Sequence, residues 1–150
     1  MLVRGFLVGG AMMLASGVVS AQTCDVTVEG NDAMAFNAKE LKVDSGCSEI
    51  NVTLKHVGKL PVSAMGHNVV ITKTADYKDV AKAGGKATLE DAYVPKDDAR
   101  VLAHTKVIGG GETTSVKIPG DVLKAGEDYT FFCSFPGHWS VMKGKFVVGG

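Results

Sequence analysis

Apolar and polar residues alternate with a period of two along much of this chain, in short runs broken by Gly, Pro, Asp and Asn. Over 24–29 the alternation passes through Val26 and Val28 and stops at the turn cluster Gly30-Asn31-Asp32, which predicts a strand. A second strand is predicted over 36–43, ended by Asp44-Ser45-Gly46. The pattern over 48–56 is cleaner, with Ile50, Val52, Leu54 and His56 on one face and Asn51, Thr53 and Lys55 on the other. His56 therefore points to the core, where a hydrogen-bonded core histidine is the reading favoured over a ligand.

Gly58-Lys59-Leu60-Pro61 reads as a loop, and 67–72 resumes an apolar strand through Val69, Val70 and Ile71. His67 thus falls at a loop-to-strand junction, a place from which a rigid scaffold can aim a side chain. Residues 76–83 form the one predicted helix, with Thr74 or Asp76 as N-cap, an apolar face of Tyr77, Val80, Ala81 and Ala83, and Gly84-Gly85 as terminator. An excursion through Pro95-Lys96-Asp97-Asp98 leads to a strand over 101–108 that carries His104. Gly109-Gly110-Gly111 is a turn, because no Lys-Ser/Thr pair or helix start follows as a phosphate loop requires. Further strands are predicted over 113–118, 128–133 and 143–148. About eight strands and one short helical insertion predict an all-β, antiparallel Greek-key β-sandwich.

The first 21 residues do not fit this pattern. Arg4 precedes an apolar run over 6–15, and Val19-Ser20-Ala21 offers small residues for cleavage before Gln22, as in a secretory signal. The run is interrupted by Gly9 and Gly10 and is shorter than the roughly 20 residues of a membrane span. Residues 22–150 are then expected as a single exported domain with no membrane insertion. Sixteen basic and 16 acidic residues cancel to a formal net charge of zero, and without a basic cluster there is no footing for nucleic acid or anionic lipid.

Three cysteines leave one over after pairing. Cys24 and Cys47 lie near the start of the exported chain, and an oxidising compartment favours joining them. Cys133 then remains free, and a free thiol outside the cytoplasm survives best when something holds it. Its neighbours suggest what does: Cys133-Ser134-Phe135-Pro136-Gly137-His138-Trp139-Ser140-Val141-Met142 holds a thiol, an imidazole and a thioether, with a tight bend at Pro136-Gly137. Two His and one Cys with a weak, long axial Met is the blue-copper pattern, and His67 is the best candidate for the second histidine. An inert buried cysteine is the competing reading of Cys133. Asn68, beside His67, suits a hydrogen bond to a neighbouring loop or an ordinary surface position.

The ligand loop resembles that of the azurins, blue-copper proteins of the cupredoxin family. The likeness extends to the paired Cys24 and Cys47, Gly30-Asn31-Asp32-Ala33-Met34, Met65-Gly66-His67-Asn68, 95–101, Ala103-His104-Thr105-Lys106 and 131–138. The spacing Cys-x4-His-x3-Met matches azurins, whereas plastocyanin-like members have Cys-x2-His-x4-Met. The resemblance implies a cupredoxin-like fold, one copper per chain cycling between Cu(I) and Cu(II), and single-electron transfer without enzymatic turnover. It implies Cys133, His67 and His138 as strong ligands, Met142 as weak axial ligand and the Gly66 carbonyl as a distant axial contact. It further implies that Asn68 ties the two ligand-bearing loops together and, with the Phe135 amide, adjusts the thiolate. An apolar patch of Met34, Met65, Phe135 and Gly137 around an exposed edge of His138, extended by Trp139, would dock redox partners such as c-type cytochromes or reductases in the periplasm. By residue type alone, these methionines and aromatics fit a core as well as a docking face. A monomer is expected, His56 and His104 are not expected as ligands, and the role of Trp139 stays open between enlarging the patch and shielding His138. Three other readings use the same residues: copper storage or delivery, a zinc site, and an enzyme with Cys133 as nucleophile.

Overall fold

A computed structural model describes residues 22–149, so the signal predicted over 1–21 lies outside the described residues. The alternating runs become β1 (Asp25–Gly30), β2 (Glu40–Asp44), β3 (Glu49–His56), β4 (Val70–Lys73), β5 (Ala103–His104), β6 (Thr113–Pro119), β7 (Tyr129–Phe132) and β8 (Lys143–Gly149). They form a three-stranded sheet in the order β1-β3-β6 and a five-stranded sheet in the order β2-β8-β7-β4-β5. Val28, Val52, Leu54 and Ile118 from the first sheet meet Leu41, Val43, Ile71, Phe131 and Phe146 from the second in one buried cluster. Each such side chain contributes roughly 1.5 to 3 kcal/mol of burial free energy, so the sandwich is held mainly by this interior.

Both sheets are mixed, which corrects the antiparallel expectation. β1 runs parallel to β3 with Val28 opposite Leu54, and β2 runs parallel to β8 with Leu41 opposite Phe146. The reason is topological. After β1 the chain crosses to the other sheet to form β2, then returns as β3, so the two strands that flank the crossing point the same way. Alternation along one strand carries no information about the direction of its neighbour.

Two further departures affect the site. The predicted strand over 101–108 keeps only Ala103–His104 as ladder, because the Val69 N–H donates to the Thr105 hydroxyl (3.0 Å) at a point where a ladder would use a carbonyl. The segment stays beside β4 through Leu102 N–H to Ile71 O and Thr105 N–H to Val69 O, both 2.9 Å. A short helix, α1 (Val62–Met65), was not foreseen; it begins after Pro61, whose carbonyl accepts from the Ala64 and Met65 amides at 3.0 Å. The predicted helix is α2 (Tyr77–Gly84), with Asp76 at its N-cap position but no side-chain cap bond. It lies on the outer face of the larger sheet, where Tyr77, Val80 and Ala81 cover Val70 and Phe132. All four residues of β7 are therefore buried, Tyr129 and Phe131 inward and Phe132 under α2.

Cys24 and Cys47 are bonded, with Cα atoms 5.7 Å apart, and tie the start of β1 to the turn before β3. Cys133 is free and buried. Closing a loop of 23 residues removes unfolded-chain entropy worth about 3 to 4 kcal/mol in the chain-entropy treatment. The double substitution Cys24→Ala/Cys47→Ala should lower the urea-unfolding free energy by about that amount, with the far-ultraviolet dichroism of the folded state unchanged. A loss under about 1 kcal/mol would show that the covalent tie constrains little that the core does not already hold.

Candidate metal centre

His67 is aimed by backbone pairing on its own residue. Its N–H donates to Ile108 O (3.0 Å) and its carbonyl accepts from Ile108 N–H (2.8 Å), an isolated bridge three residues before β4. The predicted loop-to-strand junction is thus where the residue sits. The other ligand-bearing segment is a tight loop between β7 and β8. Gly137 takes φ +85°, His138 N–H donates to Phe135 O (2.9 Å), Met142 N–H donates to His138 O (2.8 Å), and Cys133 N–H donates to Met142 O (3.0 Å). The positive φ is one that glycine adopts without a steric penalty, so the bend expected at Pro136-Gly137 depends on that residue.

These loops bring together His67, Cys133 and His138, all buried, with one potential ligand atom from each lying within 4.8 Å of the others. Cys133 Sγ is 3.9 Å from His67 Nδ1, 3.6 Å from His138 Nδ1 and 3.9 Å from the Gly66 carbonyl oxygen. Met142 is fully buried in the same core cluster as Cys133. Gly66 is walled in: an ideal Cβ there would lie 2.7 Å from Phe135 Cδ2, from Val107 Cγ1 and from Val62 O. Any side chain at this position would push the carbonyl and the loops around it apart.

Hydrogen bonds select the tautomers. His67 Nε2 lies 2.8 Å from Asn31 O, an acceptor only, so Nε2 carries the proton and the Nδ1 lone pair faces the sulfur. His56 stacks on His67 with ring centroids 4.4 Å apart; its Nδ1 accepts from Gly58 N–H (3.1 Å), so its Nε2–H donates to Met65 O (2.7 Å). It is the satisfied core histidine that the alternation predicted. His104 is exposed on β5 and outside the cluster.

Burial sets the protonation of the group. It pushes the Cys133 thiol up to about 12, opposed by the Asn68 and Phe135 amides that point at the sulfur. It lowers His138 to about 4, helped by the neighbouring His67 and His56, and it lowers His67 despite the bond to Asn31. The cluster therefore folds as a neutral thiol and two neutral imidazoles, with no carboxylate among them. A soft sulfur and two imidazole nitrogens fit copper and also accept zinc; calcium and magnesium, which take oxygen ligands, do not fit.

The surrounding residues divide by place. Asn68 is fully buried; its Oδ1 accepts from Ser134 N–H (2.8 Å), linking the two ligand-bearing loops. The Phe135 ring packs on His138 at 4.7 Å. Met34 and Met65 are half-buried, Gly137 is exposed, and His138 is only 2% exposed, so the edge it turns to solvent is narrow. Trp139 is half-buried on the α2 cluster, its ring edge-on to Tyr77 at 6.3 Å. Sequence reasoning missed Ser134 and Ala92: Ala92 acts through its carbonyl, which leaves no mark in residue type, and Ser134 looks like ordinary loop polarity.

Comparison with known proteins agrees with this chemistry. A family model described as copper binding proteins, plastocyanin/azurin family, matches residues 22–149. Azurin of Alcaligenes faecalis is 59% identical over 126 residues, 84% of this chain and 98% of the relative. Azurin of Bordetella pertussis is 51% identical over 140 residues, 92% of this chain and 93% of the relative. The solved structure of the azurin Az-iso2 from the obligate methylotroph Methylomonas sp. strain J superposes with a TM-score of 0.81 at 42% identity, covering 85% of this chain and 98% of that one. With a soft His, Cys, His cluster buried at the end of a mixed β-sandwich and these likenesses spanning nearly all of 22–149, the chain belongs to the plastocyanin/azurin family of copper-binding proteins.

Proposed function

We propose that this protein is a periplasmic blue-copper carrier of single electrons, formed by residues 22–150 as one monomeric domain after removal of 1–21. His67, Cys133 and His138 would hold the metal, with Met142 and the Gly66 carbonyl as weaker, more distant contacts. Copper in such a set supplies a one-electron couple between Cu(I) and Cu(II). The observation that carries the proposal is the set of hydrogen bonds holding the ligands in place independently of a metal: His67 Nε2–H on Asn31 O, Cys133 N–H on Met142 O, and Ser134 N–H on Asn68 Oδ1. A site whose ligands are held by the fold changes little between two oxidation states.

The same features weigh against the other readings. A storage or delivery site needs ready exchange, and here the sulfur is fully buried. A nucleophilic cysteine needs a lowered pKa, and the burial of Cys133 pushes its thiol up to about 12. Docking of a c-type cytochrome or a reductase is assigned to the surface of Met34, Met65, Phe135 and Gly137, next to His138 and its chain neighbour Trp139. Val141, in the loop between β7 and β8, is also an exposed apolar residue.

Adding Cu(II) to the metal-free, thiol-reduced protein should give an intense blue colour, absent in Cys133→Ser; a colourless adduct of the parent protein sinks the proposal. The protonation states bear on the metal-free fold as well. His138 is near 6.5 when unfolded and near 4 when folded, so the unfolded chain takes up its proton first as pH falls. The stability this residue contributes is present in full above about 6.5 and is lost progressively down to about 4. The unfolding free energy of the metal-free protein should thus decline across that window by up to about 3 kcal/mol, and His138→Gln should flatten the decline; equal slopes for the two proteins would contradict the buried neutral imidazole. Finally, Met65→Lys should slow electron exchange with a c-type cytochrome at least several-fold while leaving the blue absorption in place. Unchanged exchange would move the docking surface elsewhere.

A further inference from the structure

Phe132, Trp139 and Lys143 are the chain neighbours of Cys133, His138 and Met142, and all of them meet one side chain, Tyr77 at the start of α2. The Phe132 ring lies 5.8 Å from the Tyr77 ring, and the Trp139 ring stands edge-on to it at 6.3 Å, centroid to centroid. Lys143 Nζ donates to the Tyr77 hydroxyl at 3.0 Å. Among the described residues Lys143 forms no ion pair, so this hydroxyl is what fixes its ammonium. Tyr77 itself is buried among Val70, Val80 and Ala81, which hold its ring in place.

These contacts come from the side of the loop opposite the ligands. Cys133 and Met142 belong to the buried cluster between the sheets, whereas Phe132 and Trp139 pack in the cluster under α2. Consecutive residues of extended chain present their side chains to opposite faces, so fixing Phe132 and Lys143 from outside fixes the rotation of Cys133 and Met142 inside. Phe132 and Lys143 are also cross-strand partners, and the next pair inward in the loop is closed by Cys133 N–H on Met142 O. Trp139 anchors the turn in which His138 N–H donates to Phe135 O. We infer that Tyr77 is a positioning residue that grips the loop between β7 and β8 from behind, through Phe132, Trp139 and Lys143, and so sets the orientation of Cys133, His138 and Met142. The helix α2, which holds no ligand, is thereby part of the support of the centre. Side chains locked by packing hold a ligand set within the narrow tolerance that a functional site needs. The inference deepens the copper-carrier reading and rests on it for the spectrum alone.

The test uses Tyr77→Phe, which removes the hydroxyl and keeps the ring, and Trp139→Leu, which removes the indole. Backbone amide exchange is read first, on the metal-free protein. Tyr77→Phe should speed the Cys133 amide, whose acceptor Met142 O adjoins Lys143, about tenfold, the loss of one hydrogen bond from a charged donor. The His138 amide should keep the parent rate in that variant. Trp139→Leu should speed the His138 amide several-fold and leave Cys133 at the parent rate, and Trp139→Phe, which keeps a ring against Tyr77, should bring His138 back. The His67 amide, paired with Ile108 on the other support, should keep the parent rate throughout. With copper, Tyr77→Phe should displace the thiolate-to-copper absorption band, a change that a residue serving stability alone would not produce. The parent rate at Cys133 in Tyr77→Phe, an equal rise at Cys133, His138 and His67 in either variant, or an unmoved band in Tyr77→Phe overturns the inference. Should Trp139→Leu not fold, Tyr77→Phe decides the matter by itself. A parent that gives no blue species overturns the copper-carrier reading, and the metal-free exchange rates then decide this one alone.

Discussion

A thiol and two imidazoles can sit at the end of a hydrophobic core only while they stay neutral and their polar edges are satisfied, and the rest of this structure follows from that constraint. Charged, any of the three would need a partner that the surroundings lack, since no carboxylate belongs to the cluster. Neutral, two of the three are met by backbone: Asn31 O accepts from His67 Nε2–H, and the Asn68 and Phe135 amides act on the sulfur, while His138 Nδ1 lies 3.6 Å from that sulfur. The chain thus folds around a set of lone pairs aimed at one point. It does so at the expense of a strained turn at Ala92–Tyr93 and a sealed pocket around Gly66.

The sandwich supplies the rigidity that this aiming needs. His67 is anchored by its own backbone bridge to Ile108, while Cys133 and His138 belong to a loop closed by three hydrogen bonds between the adjacent strands β7 and β8. Asn68 and Ser134 then join the two supports. His56 adds a third layer: stacked on His67 and bonded to Met65 O, it couples the end of β3 to the loop that carries Gly66. Few of these contacts are strong individually, at about 0.5 to 1.5 kcal/mol each, but they share residues, so displacing one ligand disturbs several at once.

Much of this was legible in the chain. Alternation at Ile50, Val52, Leu54 and His56 placed the β3 histidine in the core, and the odd cysteine with His138 nearby marked the loop that the structure brings against His67. Other features were hidden for definite reasons. Phe132 sits at an outward position of β7 and is buried because α2 covers it, a fact of packing between remote segments. The Thr105 hydroxyl replaces a ladder acceptor and cuts the strand predicted over 101–108 to two residues. Ala92 contributes a carbonyl, which every residue has.

The sequence by itself determined the donor chemistry, the periodic faces of the strands, the bend at Pro136-Gly137 and the surplus thiol, because these follow from residue type and local spacing. Tertiary structure alone decided that β1 and β3 run parallel, that His67 Nδ1 comes to 3.9 Å from a sulfur 66 positions away, and that Trp139 leans on α2. It also decided that the Ala92 carbonyl accepts from Asn68 and Ser134, the neighbours of His67 and Cys133. Those relations depend on which distant segments are buried against each other, and burial is a property of the whole fold.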